Sequence, residues 1–166
     1  MTHDQLIHKA MKWLLGQGCA VVITEMTSGV TETPDAIGFH PCYSIVIECK
    51  ASRSDFLSDR HKWYRRSLDN GMGDQRYYLA LEGIIKADEL PEKWGLLQPS
   101  GRGIRIIQKA KNIYEKNWHG EITLLISAMR RIEGILPKGA NVRCYQFGYD
   151  KKARATLGVA KKETHE

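Results

Sequence analysis

The sequence lacks the features that mark membrane, secreted and repeat proteins. It contains no apolar run close to the roughly 20 residues that a transmembrane helix needs. Its first residues, Thr2, His3 and Asp4 followed by a helical pattern, do not form a signal peptide. Neither internal repeats nor a low-complexity linker is present. We therefore expect a cytoplasmic protein with no membrane partner.

Cysteines are few and irregularly spaced. The 4 cysteines, Cys19, Cys42, Cys49 and Cys144, include no CxxC pair, and two of them lie in strand-like apolar runs. A disulfide framework or a structural zinc site needs closer and more regular spacing. The pattern therefore favours reduced thiols, in agreement with a cytoplasmic location.

The composition is that of an ordinary globular chain. Its 166 residues are 42% hydrophobic and 27% charged, which is enough for one real core. The formal net charge of +6 suits a polyanionic partner. We expect a single domain over 1–149. The polar, lysine-rich sequence DKKARATLGVAKKETHE predicts a flexible basic tail over 150–166.

The spacing of apolar residues predicts a mixed α/β order of elements. Thr2 and Gln5 form a capping box at the start of a first helix, and β-branched runs indicate strands. The predicted elements are a helix ending at Gly16; strands over Cys19–Thr24, Asp35–Phe39 and Tyr43–Lys50; a helix capped by Ser54 or Asp55 and running to about Leu68; a strand over Arg76–Leu81; a short helical turn over Asp88–Trp94; a hairpin of Gly95–Gln98 and Gly103–Gln108; and a helix over Glu121–Ile132.

Charged residues occur near the end of the apolar third strand. Because side chains alternate across a strand, Glu48 and Lys50 lie on one face together. Their burial is costly unless they pair with each other, with another charge or with a metal. Asp35 would join them if its strand pairs antiparallel with theirs. Two converging carboxylates suit Mg²⁺, and a lysine beside them can hold or help deprotonate a water and stabilise charge on a phosphoryl oxygen.

The spacing of these charged residues resembles a known nuclease motif. Pro34-Asp35, an intervening strand and Glu48-Cys49-Lys50 are similar to the PD-(D/E)xK motif of the restriction-endonuclease-like superfamily. The order of helix, three-strand meander, helix and strand is similar to its core, to which the C-terminal hairpin and helix would form an appendix. The segment ECKASRSDFLSDRHKWYRRS resembles the MmcB-like branch, which is associated with DNA repair. Similar proteins occur among phage and prophage reading frames.

The resemblance implies a Mg²⁺-dependent endonuclease or exonuclease, with Mn²⁺ as a substitute metal, that hydrolyses phosphodiester bonds in DNA. It makes Asp35 and Glu48 metal ligands, the backbone carbonyl of Cys49 a further ligand, and Lys50 the catalytic lysine. Glu25, at the end of the first strand, would be the additional acid that some members use. Cleavage of both DNA strands by this fold often needs two sites, which implies a homodimer.

Polar and basic residues after the motif are the candidates for nucleic-acid contact. Ser52 and Arg53 directly follow the third strand and are expected to contact the scissile region. The next helix contains further candidates that could grip phosphates, namely Arg60, Lys62, Arg65 and Arg66. A solvated basic helix would give the same pattern, so both interpretations stay open.

Three alternatives to the nuclease also stay open. Glu48 and Lys50 would form the same pattern as a structural ion pair. A catalytically silent DNA-binding repair accessory would keep the fold and the charges, and would bind DNA without cutting it. A protein-interaction factor on the same fold would bind its partner with little dependence on salt.

Overall fold

The computed structural model describes residues 1–132, apart from the side chains of Trp63 and Arg66. The described elements are α1 (His3–Gly16), β1 (Val21–Thr24), β2 (Ala36–His40), β3 (Tyr43–Lys50), α2 (Arg53–Asp59), α3 (Trp63–Arg66), β4 (Gln75–Ala80), a 3-10 turn (Ala87–Glu89), β5 (Gly95–Ser100), β6 (Gly103–Gln108) and α4 (Trp118–Ile132). The fold is therefore mixed α/β, as predicted. Within residues 1–132, no helix combines the length and the apolar content needed to cross a bilayer.

The chain divides into two units, over 1–124 and 125–166. The first contains the sheet and the helices α1 to α3. The described part of the second, 125–132, is the C-terminal end of α4. The predicted tail over 150–166 and the end of the predicted domain over 1–149 lie outside the described residues, so both stay predictions.

Six strands form one sheet in the order in which they occur along the chain. The pairs β1–β2, β2–β3 and β5–β6 are antiparallel, whereas β3–β4 and β4–β5 are parallel. The predicted meander of the first three strands is present. In its register Ala36 pairs with Ile47. Asp35 is one position beyond this pair and therefore stands opposite Glu48.

The two faces of the sheet carry separate apolar clusters. On one face, Ile47 and Cys49 of β3 pack with Leu6 of α1. On the other, Tyr78 of β4 packs with Phe56 of α2. Because Glu48 and Lys50 alternate with the residues that face α1, they project from the face that α2 covers. The alternation predicted for β3 therefore places Glu48 and Lys50 together on the face of the sheet that α2 covers.

The packing of α1 on the sheet depends on a glycine in β2. A Cβ added to Gly38 would lie 2.6 Å from Cys19 Sγ and 3.0 Å from Leu14 Cδ2. A side chain at this position would push the C-terminal end of α1 away from the sheet. The start of the same helix carries the predicted capping box of Thr2 and Gln5.

The predicted second helix was wrong in its start and in its length. It begins after Ser52, whose Oγ accepts the backbone N–H of Asp55 at 3.2 Å, and it ends at Asp59. A separate α3 follows the extended residue Lys62. The physical reason is the carboxylate of Asp59, which pairs with Lys62 and accepts the Tyr78 hydroxyl of β4, so the chain turns toward the sheet.

Other predicted ends shift by a few residues. β3 and β6 have the predicted bounds. β1 begins at Val21 instead of Cys19, and α4 begins at Trp118 instead of Glu121. The helical turn predicted over Asp88–Trp94 is reduced to Ala87–Glu89.

Candidate functional site

Three acidic residues lie side by side where the neighbouring strands β1, β2 and β3 end or begin. Glu25 follows the end of β1, Asp35 precedes β2, and Glu48 lies near the end of β3. The backbone N–H of Glu25 donates to the Asp35 carbonyl at 3.2 Å, and the N–H of Cys49 donates to Asp35 Oδ2 at 2.7 Å. The antiparallel pairing required for Asp35 to join Glu48 and Lys50 is therefore present.

Lys50 is buried among carboxylates. Its Nζ lies 3.5 Å from Glu48 Oε2, 3.4 Å from Asp59 Oδ1 and 3.8 Å from Asp55 Oδ1. Burial alone would lower the pKa of Lys50, but the charges of Glu48, Asp59 and Asp35 outweigh it and raise the pKa above its ordinary value. Lys50 is therefore a charged ammonium at neutral pH and acts as a hydrogen-bond donor.

Arg65 is the buried centre of this charge cluster, with only 1% of its side chain exposed. Its Nη1 lies 2.7 Å from Glu32 Oε1, its Nη2 lies 2.7 Å from Glu48 Oε1, and its Nε lies 3.1 Å from Asp59 Oδ2. The sequence predicted Arg65 as a contact to nucleic acid. The structure places the guanidinium inside the protein instead, where it fixes Glu48 and holds α3 to the sheet.

Asp59 and Glu32 were not predicted as part of the site. Burial alone would raise the pKa of Asp59, but Arg65 and Lys50 lower it far below its ordinary value, so this carboxylate is ionised. Burial raises the pKa of Glu32, whose Oε2 accepts the backbone N–H of Met72 at 2.7 Å. Both residues come from segments outside the Asp35–Lys50 motif, so its spacing gave no signal for them.

Asp35 is the partly exposed member of the carboxylate pair, with 19% of its side chain accessible. Burial and then the charge of Glu48 raise the pKa of Asp35 to about 6. His3 Nε2 lies 3.7 Å from Asp35 Oδ1 and also 3.7 Å from Glu25 Oε1. This contact places Glu25, the predicted additional acid, beside Asp35 at the solvent-exposed rim of the site. A role for His3 was not predicted.

The carboxylates fit a hard cation. The acidic groups Glu32, Asp35, Glu48 and Asp59 surround the buried cations Lys50 and Arg65, with the half-exposed Lys62 beside Asp59. Asp55, whose Oδ1 is 3.8 Å from Lys50 Nζ, and Glu25, beside His3, add further carboxylates, so acidic groups are in excess at this site. A divalent cation would compensate this excess.

Both motif carboxylates retain acceptor capacity. Glu48 Oε1 has no hydrogen-bond donor among the described residues, although Arg65 Nη2 is close to it, and Glu48 Oε2 has a long contact to Lys50. Asp35 Oδ1 lies beyond hydrogen-bond distance from His3. Because N–H and C=O of a strand residue point to the same side, the carbonyl of Cys49 lies on the β2 side of β3, as its N–H does.

A closed metal cage is not the expected arrangement. Within residues 1–132, no group of three or more His, Cys, Asp or Glu side chains is arranged to hold a metal ion. Mg²⁺ commonly takes one or two protein carboxylates and keeps several waters. Asp35 and Glu48, with the Cys49 carbonyl, therefore fit an open Mg²⁺ site better than a site built from side chains alone.

The other predicted nucleic-acid contacts divide into caps, ion pairs and exposed side chains. Ser52 is the N-cap of α2. Arg53 pairs with Glu89 and donates to the Ile84 carbonyl at 3.0 Å, although the side chain remains partly exposed. These contacts give both residues structural roles, and Arg53 keeps surface that a phosphate could reach.

Two of the basic residues after α2 reach solvent. Arg60 is exposed, and its guanidinium lies 6.0 Å from the Phe56 ring centroid. Lys62 is half-exposed, with Nζ 2.7 Å from Asp59 Oδ1. The side chain of Arg66 lies outside what the structure describes. Among the described side chains of this segment, Arg60 and Lys62 can therefore reach a phosphate, and the prediction for Arg66 stays a prediction.

Comparisons with known proteins give a likeness of fold. No protein-family model matches the chain, and no curated protein matches it. Among solved structures, the chain is similar to the SPO1766 protein of unknown function from Silicibacter pomeroyi, with a TM-score of 0.59 and 21% sequence identity. The likeness covers 81% of this chain and 92% of that chain. It is compatible with the α/β fold described above.

Proposed function

We propose that this protein is a metal-dependent nuclease that hydrolyses phosphodiester bonds in DNA. The observation that carries the proposal is the position of Asp35 opposite Glu48, with Lys50 two residues farther along β3. These are the three side chains of the PD-(D/E)xK pattern. Their arrangement supports the restriction-endonuclease-like core that the sequence resembles.

Asp35 and Glu48 would hold Mg²⁺, which when bound polarises the phosphodiester and stabilises the leaving oxygen. Lys50 donates a hydrogen bond to the attacking water and stabilises negative charge on a phosphoryl oxygen. The raised pKa of Lys50 makes it a poor base. Of the roles predicted from the sequence, we therefore keep the holding of the water and the stabilisation of charge, and not the deprotonation of the water. Arg65 positions Glu48 through the contact of its Nη2 with Glu48 Oε1 at 2.7 Å.

Substrate would approach from the partly exposed rim of the site. Glu25, His3 and Asp55 have half-exposed side chains, whereas those of Glu48 and Lys50 are buried. A phosphate therefore meets Asp35 and the rim before it reaches Lys50. The net charge of +6 supports a polyanionic substrate.

A catalytically silent DNA-binding accessory is the second candidate. The observation that favours it is the pairing of Glu48 and Lys50 with Arg65 and Asp59 inside the protein. Such a network stabilises a fold without needing a metal or a substrate. Cleavage is therefore the property that separates the two candidates.

The test is a cleavage assay on plasmid, linear, single-stranded and branched DNA in Mg²⁺, in Mn²⁺ and in EDTA. We expect wild type to cut at least one substrate with metal and none in EDTA. Asp35→Asn and Lys50→Met should each lower the rate by about 100-fold or more, because each removes stabilisation of charge at the reacting phosphate. The variant Asp88→Asn, at an exposed aspartate in the 3-10 turn, is the matched control and should cut normally.

Circular dichroism melting of each variant establishes that it is folded. Undiminished cutting by folded Asp35→Asn would overturn the proposed site. DNA binding by wild type without cutting of any substrate would favour the accessory. Titration calorimetry with Mg²⁺ tests the metal site separately, because Asp35→Asn should bind the metal more weakly than wild type.

A further inference from the structure

We propose that a second cleft, at the opposite end of β3 from the carboxylates, binds an unstacked nucleobase. The cleft has a volume of about 330 Å³. Three aromatic residues, three polar residues and one cysteine line it: Tyr43, Tyr114 and Trp118; Asp74, Gln75 and Asn112; and Cys42. None of them belongs to the carboxylate site, so this binding goes beyond the proposed hydrolysis and does not depend on it.

The aromatic side of the cleft leaves ring surface in contact with water. Tyr114 is 81% exposed and Trp118 is 56% exposed. Exposed rings of this size are favourable partners for stacking, because stacking removes apolar surface from water. Lys116 Nζ lies 3.8 Å from the centroid of the Trp118 ring and steadies the indole by a cation–π contact. The third ring, Tyr43, stacks on His40 with ring centroids 4.3 Å apart, which fixes its orientation.

The polar side of the cleft is fixed by contacts within the protein. Asp74 Oδ2 accepts the Ser44 backbone N–H at 2.7 Å and pairs with Lys116. Gln75 Nε2 donates to Asn112 Oδ1 at 2.9 Å. Among the described residues these contacts use one oxygen of Asp74 and the carbonyl of Asn112. Asp74 Oδ1 as an acceptor and the Asn112 amide as a donor are then available to a ligand.

This combination selects a heteroaromatic ring over a phosphate. The base edges of nucleic acids present donors and acceptors in the plane of a stacking ring. The carboxylate of Asp74 repels a phosphate, and the nearby cation of Lys116 is already paired with Asp74 and with Glu121, whose Oε2 is 3.0 Å away. The volume is at the small end of ligand pockets, which suits a base. A free nucleotide and a single strand can both supply this base.

The test uses the full chain in EDTA, so that binding is measured without hydrolysis. Fluorescence anisotropy compares a labelled thymidine hexanucleotide with an abasic strand of the same length. We expect the strand with bases to bind about fivefold or more tightly than the abasic one. Trp118→Ala and Tyr114→Ala should each abolish this difference, whereas Tyr114→Phe, which keeps the ring, should preserve it. Leu15→Ala, at an exposed apolar residue of α1, is the matched control and should bind as wild type does.

Competition by unlabelled thymidine monophosphate distinguishes the two sources of the base. Displacement by the mononucleotide at comparable concentration supports a free nucleotide, and displacement by the strand alone supports a nucleic acid. Equal affinity for both strands in wild type, or an unchanged difference in folded Trp118→Ala, would overturn the proposal. Asp35→Asn should keep the base-dependent binding, so the nuclease proposal and this one can fail separately.

Discussion

The charge of Asp35 couples the carboxylate site to the stability of the fold. Its folded-state pKa of about 6 lies above the ordinary 3.8, because burial and Glu48 both oppose ionisation. Folding therefore favours the protonated form of Asp35, and protonation of Asp35 stabilises the folded state. This stabilisation is complete below the unfolded-state pKa and is lost as the pH rises through about 6.

Asp35→Asn removes this titration while keeping an oxygen that can accept the Cys49 N–H. In EDTA we expect equal free energies of unfolding near pH 4, and a difference of about 1–3 kcal/mol in favour of the variant near pH 7.5. Urea unfolding across this range measures the difference, with Asp88→Asn as control. A difference that does not change with pH would contradict the assigned pKa. Added Mg²⁺ should stabilise wild type more than the variant, because Asp35 is a proposed ligand.

At the scale of elements, α3 depends on its contacts with the rest of the fold. It has only 4 residues, too few to be stable as an isolated helix. Arg65 connects it to Glu32, Glu48 and Asp59. The planar guanidinium offers its N–H donors in a fixed fork, and it contacts the three carboxylates at 2.7, 2.7 and 3.1 Å, closer than the Lys50 ammonium approaches its carboxylates.

Arg65→Met should lower the free energy of unfolding by about 3–5 kcal/mol, because it leaves buried carboxylates without their cation. Arg65→Lys should recover part of this loss and no more. Urea unfolding at pH 7.5 measures both variants. The exposed Arg60 provides the matched control, and Arg60→Lys should change stability by less than about 0.5 kcal/mol. A wild-type stability for Arg65→Met would show that the network contributes little.

Sequence patterns predicted the elements that depend on local order and missed those that depend on distant contacts. The apolar run and the alternation of β3 predicted its bounds and placed Glu48 beside Lys50. The break between α2 and α3 depends on the contact of Asp59 with Tyr78, which lies in a later strand. Without that contact, nothing in the sequence RHKWYRRS distinguishes the buried Arg65 from the exposed Arg60. His3 and Glu32 likewise reach the site from segments outside the motif.

At the scale of the whole molecule, the net positive charge lets the salt dependence of binding distinguish DNA from a protein partner. In EDTA, we expect the logarithm of DNA affinity to fall linearly with the logarithm of salt concentration, with a slope of about −0.9 for each phosphate neutralised in duplex DNA. Fluorescence anisotropy between 50 and 200 mM salt, about the range over which such losses become large, measures this slope. Arg60→Ala should make it shallower, while Asp88→Asn should leave it unchanged. Absence of DNA binding, together with salt-insensitive binding to a protein, would favour an interaction factor.

The order of the strands also sets the order in which the site can be assembled during synthesis. Each strand pairs with the one made immediately before it, so sheet formation needs no segment far downstream. Glu25, Asp35 and Glu48 can meet once the first 50 residues have left the ribosome, before Arg65 has emerged. The nascent meander then carries its acidic groups with Lys50 alone beside them. Docking of α3 then brings Arg65, the second buried cation, to carboxylates that the earlier strands had already brought together.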